Sequence, residues 1–112
     1  MNLTFDDKNF YNDGKPYYFN SGEIHYYRAP KSEWRKRLQL LKDSSCNTVA
    51  TYIPWRTHEK IEGEYRFDLG DSFTDLTEFL SVIKDMDMNV IVRPGPYTYS
   101  ELMVDGLPDY LL

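Results

Sequence analysis

The sequence predicts an α/β fold on a parallel sheet: the first three βα units of a (β/α)8 barrel, preceded by a short N-terminal β-hairpin, with the barrel incomplete. Three observations carry this expectation. Strand-like and helix-like stretches alternate as strand, helix, strand, helix, strand, the order that right-handed βαβ units impose. Helix-to-strand links are short (Asp43 to Asn47, Asp85 to Asn89), whereas the second and third strand-to-helix links are long and rich in Tyr, Trp, Glu and Asp. Ligand sites of α/β proteins gather at the carboxyl ends of the strands, so the long links mark the working face. No glycine-rich phosphate turn follows the first strand, which favours the barrel over an open nucleotide-binding sheet. A whole barrel takes about 250 residues, so 112 residues hold only part of one.

The elements follow in order. Phe10-Tyr11-Asn12 and Tyr17-Tyr18-Phe19 flank Asp13-Gly14-Lys15-Pro16, and Asp-Gly is a strong hairpin signal. Residues 1–22 are read as strands leading into the barrel, and 23–112 as its first three strands and two helices. Glu23-Ile24-His25-Tyr26-Tyr27 is the first barrel strand, stopped by Pro30. A helix over Ser32 to Asp43 follows, with Ser32 as its cap and Trp34, Leu38 and Leu41 on one face. The nearly unbroken run Thr48 to Ile53 reads as a strand buried on both faces. The second helix is expected from Asp71-Ser72, with Ser72 and Asp75 at capping-box spacing and Phe73, Leu76, Leu80 and Ile83 at helical intervals. Asn89 to Arg93 is the third buried strand, and 97–112 is loop with a final helical turn. Ser45 and Asp87 stand where helices often end in glycine, a modest cost if they adopt positive φ.

Composition narrows the partners. With 13 Lys plus Arg against 18 Asp plus Glu the net charge is −5, which repels a phosphate backbone, so no nucleic acid is expected. No apolar run approaches the roughly 20 residues of a membrane span, and no secretion signal opens the chain, so a cytoplasmic protein is expected. The single Cys46 excludes an internal disulfide and reads as a small buried thiol. His58-Glu59 begins like a zinc-protease motif, but Glu62 stands where a second histidine is required; neither metal nor cofactor is expected. A nucleophile-elbow pattern is also missing around Ser100.

Carboxylates on the working face remain. Glu59 follows the second strand and Glu101 the third, each near aromatics (Trp55; Tyr97 and Tyr99). Carboxylates accept hydrogen bonds from sugar hydroxyls and aromatic faces pack on pyranose rings, so the pairing suits a carbohydrate cleft; solvated loop acids are the other reading. Arg28 and Arg93, at strand ends, are placed to pair with such acids.

Five blocks occur in order: Ser21-Gly22-Glu23-Ile24-His25-Tyr26-Tyr27-Arg28, Asn47 through Trp55, His58-Glu59, Gly63-Glu64-Tyr65-Arg66-Phe67, and Arg93-Pro94-Gly95-Pro96-Tyr97. Together they resemble the amino-terminal part of glycoside hydrolase family 35, the retaining β-galactosidases, over about Phe10 to Leu112. The resemblance implies a catalytic barrel that removes terminal β-D-galactose from oligosaccharides or glycoconjugates, using one Glu as acid/base and another as nucleophile about 5 Å away. In that family these lie after the fourth and seventh strands. No catalytic residue is therefore assigned here, and the 112 residues alone are expected to be inactive. The resemblance gives Glu101 the role of binding galactose hydroxyls and Tyr52 that of lining the sugar site. Tyr99 and Ser100 match positions that touch the sugar largely through backbone.

The chain departs from the pattern at several places. The family often has Cys-Ala-Glu-Trp where this sequence reads Tyr99-Ser100-Glu101-Leu102, which removes a large apolar wall, and Lys60 replaces a common proline. A related sugar such as a β-glucosaminide is therefore an alternative substrate. A standalone sugar-binding or interaction module is an alternative from another class.

Overall fold

The computed structural model describes residues 1–68, 70 and 73–112. Strands β1 (Leu3–Phe5), β2 (Phe10–Asn12) and β3 (Lys15–Tyr17) form an antiparallel sheet in that order. Asp13 and Gly14 both have positive φ (51° and 80°), the conformation a two-residue hairpin turn requires. A turn this tight returns the chain at Lys15, so the third strand begins two residues before the expected Tyr17. The hairpin is thereby extended to three strands by β1, which pairs Leu3 with Asn12 and Phe5 with Phe10.

The second sheet is parallel, in the order β4 (Ser21–Glu23), β5 (Thr48–Ile53) and β6 (Asn89–Pro94). Ser21 pairs with Thr48 and Thr48 with Asn89, and β6 stays in register with β5 as far as Ile53 and Pro94. Helix α1 (Trp34–Asp43) joins β4 to β5. Helices α2 (Trp55–His58) and α3 (Leu76–Asp85) lie between β5 and β6. The core fills the space between helices and sheet with Tyr26, Trp34, Leu38, Val49, Phe79, Val82 and Ile83. Trp34 meets the Phe79 ring edge-on at 5.1 Å, and Tyr26 lies 5.4 Å from the same ring. Gly22 permits this approach of α1, since a Cβ there would run into the Leu41 side chain.

Helices α1 and α3 terminate alike. Cys46 N–H donates to Leu41 O (3.0 Å) and Ser45 N–H to Lys42 O (2.9 Å). Met88 N–H and Asp87 N–H repeat the pattern on Ile83 O and Lys84 O. This is the Schellman arrangement, and it holds Ser45 (φ 68°) and Asp87 (φ 54°) in the left-handed region without glycine. Half-buried Cys46 and buried Met88 then pack against the core.

Several expectations are corrected. The strand read over Glu23 to Tyr27 lies at Ser21–Glu23, and Tyr26–Arg28 form a 3-10 turn that buries Tyr26 and Tyr27. Ser32 caps no helix: a 3-10 turn over Lys31–Glu33 precedes α1, whose N-cap is Glu33. The second long helix begins at Leu76, capped by Asp75, which accepts from Glu78 N–H at 3.1 Å. The cap expected at Ser72, and Asp71 with it, lie outside the described residues. Strand β6 is not buried on both faces. Among the described residues it pairs only with β5, and Val90, Ile91 and Val92 are exposed. Among the described residues no helix is long and apolar enough to cross a membrane.

Candidate functional site

The parallel register pairs Tyr52 with Arg93 at the carboxyl ends of β5 and β6, and Glu23, which ends β4 beside Ala50, lies two positions back on the same sheet end. Arg93 forms an ion pair with Glu23. Its guanidinium lies 4.0 Å from the centre of the Tyr52 ring and donates to the Tyr52 hydroxyl at 3.3 Å. A cation over an aromatic face orients that ring as well as attracting it. Tyr52, expected to line the sugar site, thus stands at the strand ends with its phenol oxygen held in place.

His25 extends the cluster. Its Nε2 faces Glu23 Oε2 at 2.9 Å and its Nδ1 faces Arg28 Nη1 at 3.0 Å. Arginine can only donate, so Nδ1 accepts and Nε2 carries the proton. The neutral ring agrees with a pKa held down by partial burial and by the Arg28 charge. The imidazole stacks on Tyr27 (5.2 Å, 13°) and meets the edge of Tyr52 at 5.6 Å.

The loop after β6 hangs from this cluster. Arg28 donates to the Ser100 carbonyl, and the Tyr27 hydroxyl donates to Ser100 Oγ at 3.1 Å. Burial pushes the Tyr27 phenol up, which keeps it a donor. On the same inner side Thr98 is buried, and its N–H donates to Asp105 O at 2.8 Å. Gly106 packs so closely that a Cβ would stand 2.9 Å from Thr98 Cβ. Along 97–101 the side chains alternate. Thr98 and Ser100 face in, while Tyr97, Tyr99 and Glu101 face solvent. Glu101, at φ 57°, makes no hydrogen bond or ion pair with the described residues.

Glu59, the other carboxylate singled out by the sequence, has a different fate. It is 2% exposed. Trp55 Nε1 donates to its Oε1 at 2.6 Å, the Tyr110 hydroxyl to the same oxygen at 2.5 Å, and Gly63 N–H to Oε2 at 2.8 Å. The Tyr110 hydrogen bond, followed by those of Trp55 and Gly63 against the opposing effect of burial, brings the carboxyl down to about 2. The same bond lifts the Tyr110 phenol to about 12. Both carboxylate oxygens accept hydrogen bonds from the protein, and the group is closed off from solvent. Glu59 is a structural clamp, strengthened by the two-pronged Arg56–Asp109 pair (2.5 and 3.0 Å) beside it. The arginines expected to pair with Glu59 and Glu101 bind elsewhere, Arg93 on Glu23 and Arg28 on His25 and Ser100.

Neighbouring His58 is likewise structural. Its Nδ1 donates to Arg66 O at 2.6 Å, so Nε2 accepts from the Tyr26 hydroxyl at 2.5 Å, and burial holds the ring neutral. An apolar cleft of about 280 Å³ opens next to it between Trp55, Tyr65, Phe67 and Pro94. Among the described residues no three His, Cys, Asp or Glu side chains gather as a metal site would need. The sequence reading missed Glu23, His25 and Tyr27 as site residues. Their signal was Glu23, His25 and Arg28 interrupting an aromatic run, a poor pattern for a buried strand.

The comparisons with known proteins agree on one lineage. The sequence model of "Glycosyl hydrolases family 35" matches residues 9–112. A β-1,2-glucosyltransferase of Ignavibacterium album is 41% identical over 108 residues, 95% of this chain and 15% of that protein. The β-galactosidases of Macaca fascicularis and Homo sapiens are 38% and 37% identical over 110 residues, 98% of this chain and 16% of each. The chain thus spans about one sixth of the length of the curated relatives it matches.

Proposed function

The chain belongs to glycosyl hydrolases family 35, and from that premise we propose that it forms the opening of a (β/α)8 catalytic barrel that removes terminal β-D-galactose from oligosaccharides or glycoconjugates. Residues 1–22 lead into the barrel, and 23–112 supply its first three strands. Acid/base and nucleophile lie on later strands, so these residues contribute recognition. Glu101 accepts hydrogen bonds from sugar hydroxyls, Tyr52 lines the site with its Arg93-held phenol, and Tyr99 and Ser100 meet the sugar largely through backbone. The observation that carries this reading is the contrast in carboxylates. Glu101 alone of the two presents free oxygens on a firmly anchored loop, on the same sheet end as Tyr52.

The retaining mechanism makes a definite demand. Two displacements at the anomeric carbon return the β configuration, with water entering from the face the leaving group left. The complete polypeptide, given an aryl β-galactoside and followed by proton NMR, is expected to release β-galactose before mutarotation. Release of the α anomer, or no turnover of any aryl β-glycoside, overturns the reading. Aryl β-glucoside and β-glucosaminide run in parallel decide the sugar. A second reading, transfer to a sugar acceptor instead of water, is favoured by the 41% identity to a glucosyltransferase. It predicts transfer products when a free sugar is added.

A further inference from the structure

Tyr52 and the loop that carries Glu101 are joined by one unbroken file of side chains. Tyr52 is held by Arg93, Arg93 is paired with Glu23 Oε1, and Glu23 Oε2 accepts from His25 Nε2 at 2.9 Å. His25 Nδ1 accepts from Arg28 Nη1 at 3.0 Å. Nη2 of the same guanidinium donates to the carbonyl of the Ser100–Glu101 peptide. His25 is the member of this file whose charge changes near neutral pH.

The imidazole can hold Arg28 in one charge state only. Arginine carries donors and no acceptor, so Nδ1 must offer a lone pair. A proton on Nδ1 sets two N–H groups against each other and adds a positive charge beside the guanidinium. Arg28 then swings away, and its other arm is the one on the Ser100 carbonyl. Burial, and after it the Arg28 charge, keeps the ring neutral at neutral pH. Among the described residues the imidazole is faced by Glu23 from β4, Tyr27 and Arg28 from its own turn, and Tyr52 from β5. Of these Glu23 alone favours the charged ring, and it is itself paired with Arg93. The Tyr27 phenol, pushed up by burial, keeps its hold on Ser100 Oγ, so losing Arg28 loosens the loop without releasing it. We propose that His25 is a positioning residue for the sugar-binding loop. Neutral, it fixes Arg28 and through it the Ser100 carbonyl and the backbone from which Glu101 projects; protonated, it lets that backbone slip. This rests on the reading of the loop as a sugar site, and adds that affinity for the sugar falls in acid through a residue outside the loop.

The test follows the complete protein from about pH 8 to about pH 5, the range in which histidine titrates. Isothermal titration gives the Kd for D-galactose. Hydrogen exchange of the 97–102 backbone, corrected for the intrinsic effect of pH, reports on the loop without a ligand. In the unaltered protein the Kd is expected to rise about three- to fivefold towards the acid end, the worth of one net hydrogen bond, as loop exchange quickens. His25→Asn sets an amide oxygen near the place of Nδ1 and does not titrate. Both responses should flatten in it, with the Kd at the alkaline end within about twofold of the unaltered protein. His25→Ala, with nothing to hold Arg28, should show at the alkaline end the weaker binding that the unaltered protein reaches only in acid. An acid response undiminished in His25→Asn overturns the proposal, because Glu101 or another group then carries it. So does an unaltered protein whose loop exchange and galactose affinity ignore pH. If galactose binds at no pH while loop exchange still follows His25, the sugar reading falls and the positioning of the loop stands. Should His25→Ala fail to fold, the unaltered protein and His25→Asn still decide.

Discussion

The loops that follow β5 and β6 each carry a glutamate beside aromatic residues, and the two glutamates end in opposite states. After β5, Glu59 is enclosed by Trp55, Gly63 and Tyr110. After β6, Glu101 stands in solvent on a backbone turned to positive φ, with its neighbours Thr98 and Ser100 doing the anchoring. One loop uses its carboxylate to build itself, and the other builds itself from backbone and hydroxyl groups and leaves the carboxylate free. A charged group made available to a ligand must be supported by something else, and here that support is Arg28, Tyr27 and Asp105.

The comparison breaks first at Glu101. In the complete enzyme Glu101→Gln should lower kcat/KM for a β-galactoside about 10- to 100-fold, the worth of hydrogen bonds to a charged group, with no change in thermal stability. A stability loss without an activity loss would make Glu101 the structural residue of the pair. Next is the clamp. Trp55→Phe removes one donor to Glu59 and should cost about 1–2 kcal/mol in denaturant unfolding, with kcat nearly intact.

The clamp also predicts a pH response. The folded Glu59 carboxyl titrates near 2 against an ordinary value of 4.5, so it stabilises the fold fully above pH 4.5 and loses that contribution as pH falls towards 2. Melting curves taken over that window should decline less steeply for Glu59→Gln than for the unaltered protein; parallel declines would show that the clamp is not formed. A smaller effect is expected from Glu101→Gly. Relief of left-handed strain, less the extra chain entropy of glycine, should raise stability by about 0.5–1 kcal/mol while binding is lost. Smallest is Arg28→Lys, which keeps the charge but not the planar fork reaching both His25 and Ser100. We expect KM to rise about two- to threefold with kcat unchanged, a split that merely local unfolding would not produce.

Much of the framework was legible in the chain itself. Strand β5 follows from its apolar run, and α1 and α3 follow from Trp34, Leu38, Phe79 and Ile83 at helical intervals, because burial of one face decides these elements. The cap of α1 was misread because a 3-10 turn takes up Lys31–Glu33 and moves the helix start beyond Ser32. Tyr26 and Tyr27 suggested strand by propensity, yet their burial comes from packing on His58, Phe79 and Ser100, partners distant in sequence. Glu59 and Glu101 could not be told apart for the same reason. Trp55 is four residues from Glu59, but Tyr110, which dominates its titration, is fifty-one residues away. In the loop after β6 hydropathy misleads outright, since hydroxyl residues are inside and aromatic rings outside.

The in-and-out alternation of residues 97–101 also bears on how this protein can evolve. Tyr99 makes no side-chain hydrogen bond among the described residues, so exchanges there cost the fold little, whereas Tyr97 also holds Asp105. Insertion or deletion of one residue is another matter: it would pull buried Thr98 and Ser100 away from the Asp105 carbonyl and the Tyr27 hydroxyl that hold them. Descendants of this sequence should therefore diversify here by replacement at constant length.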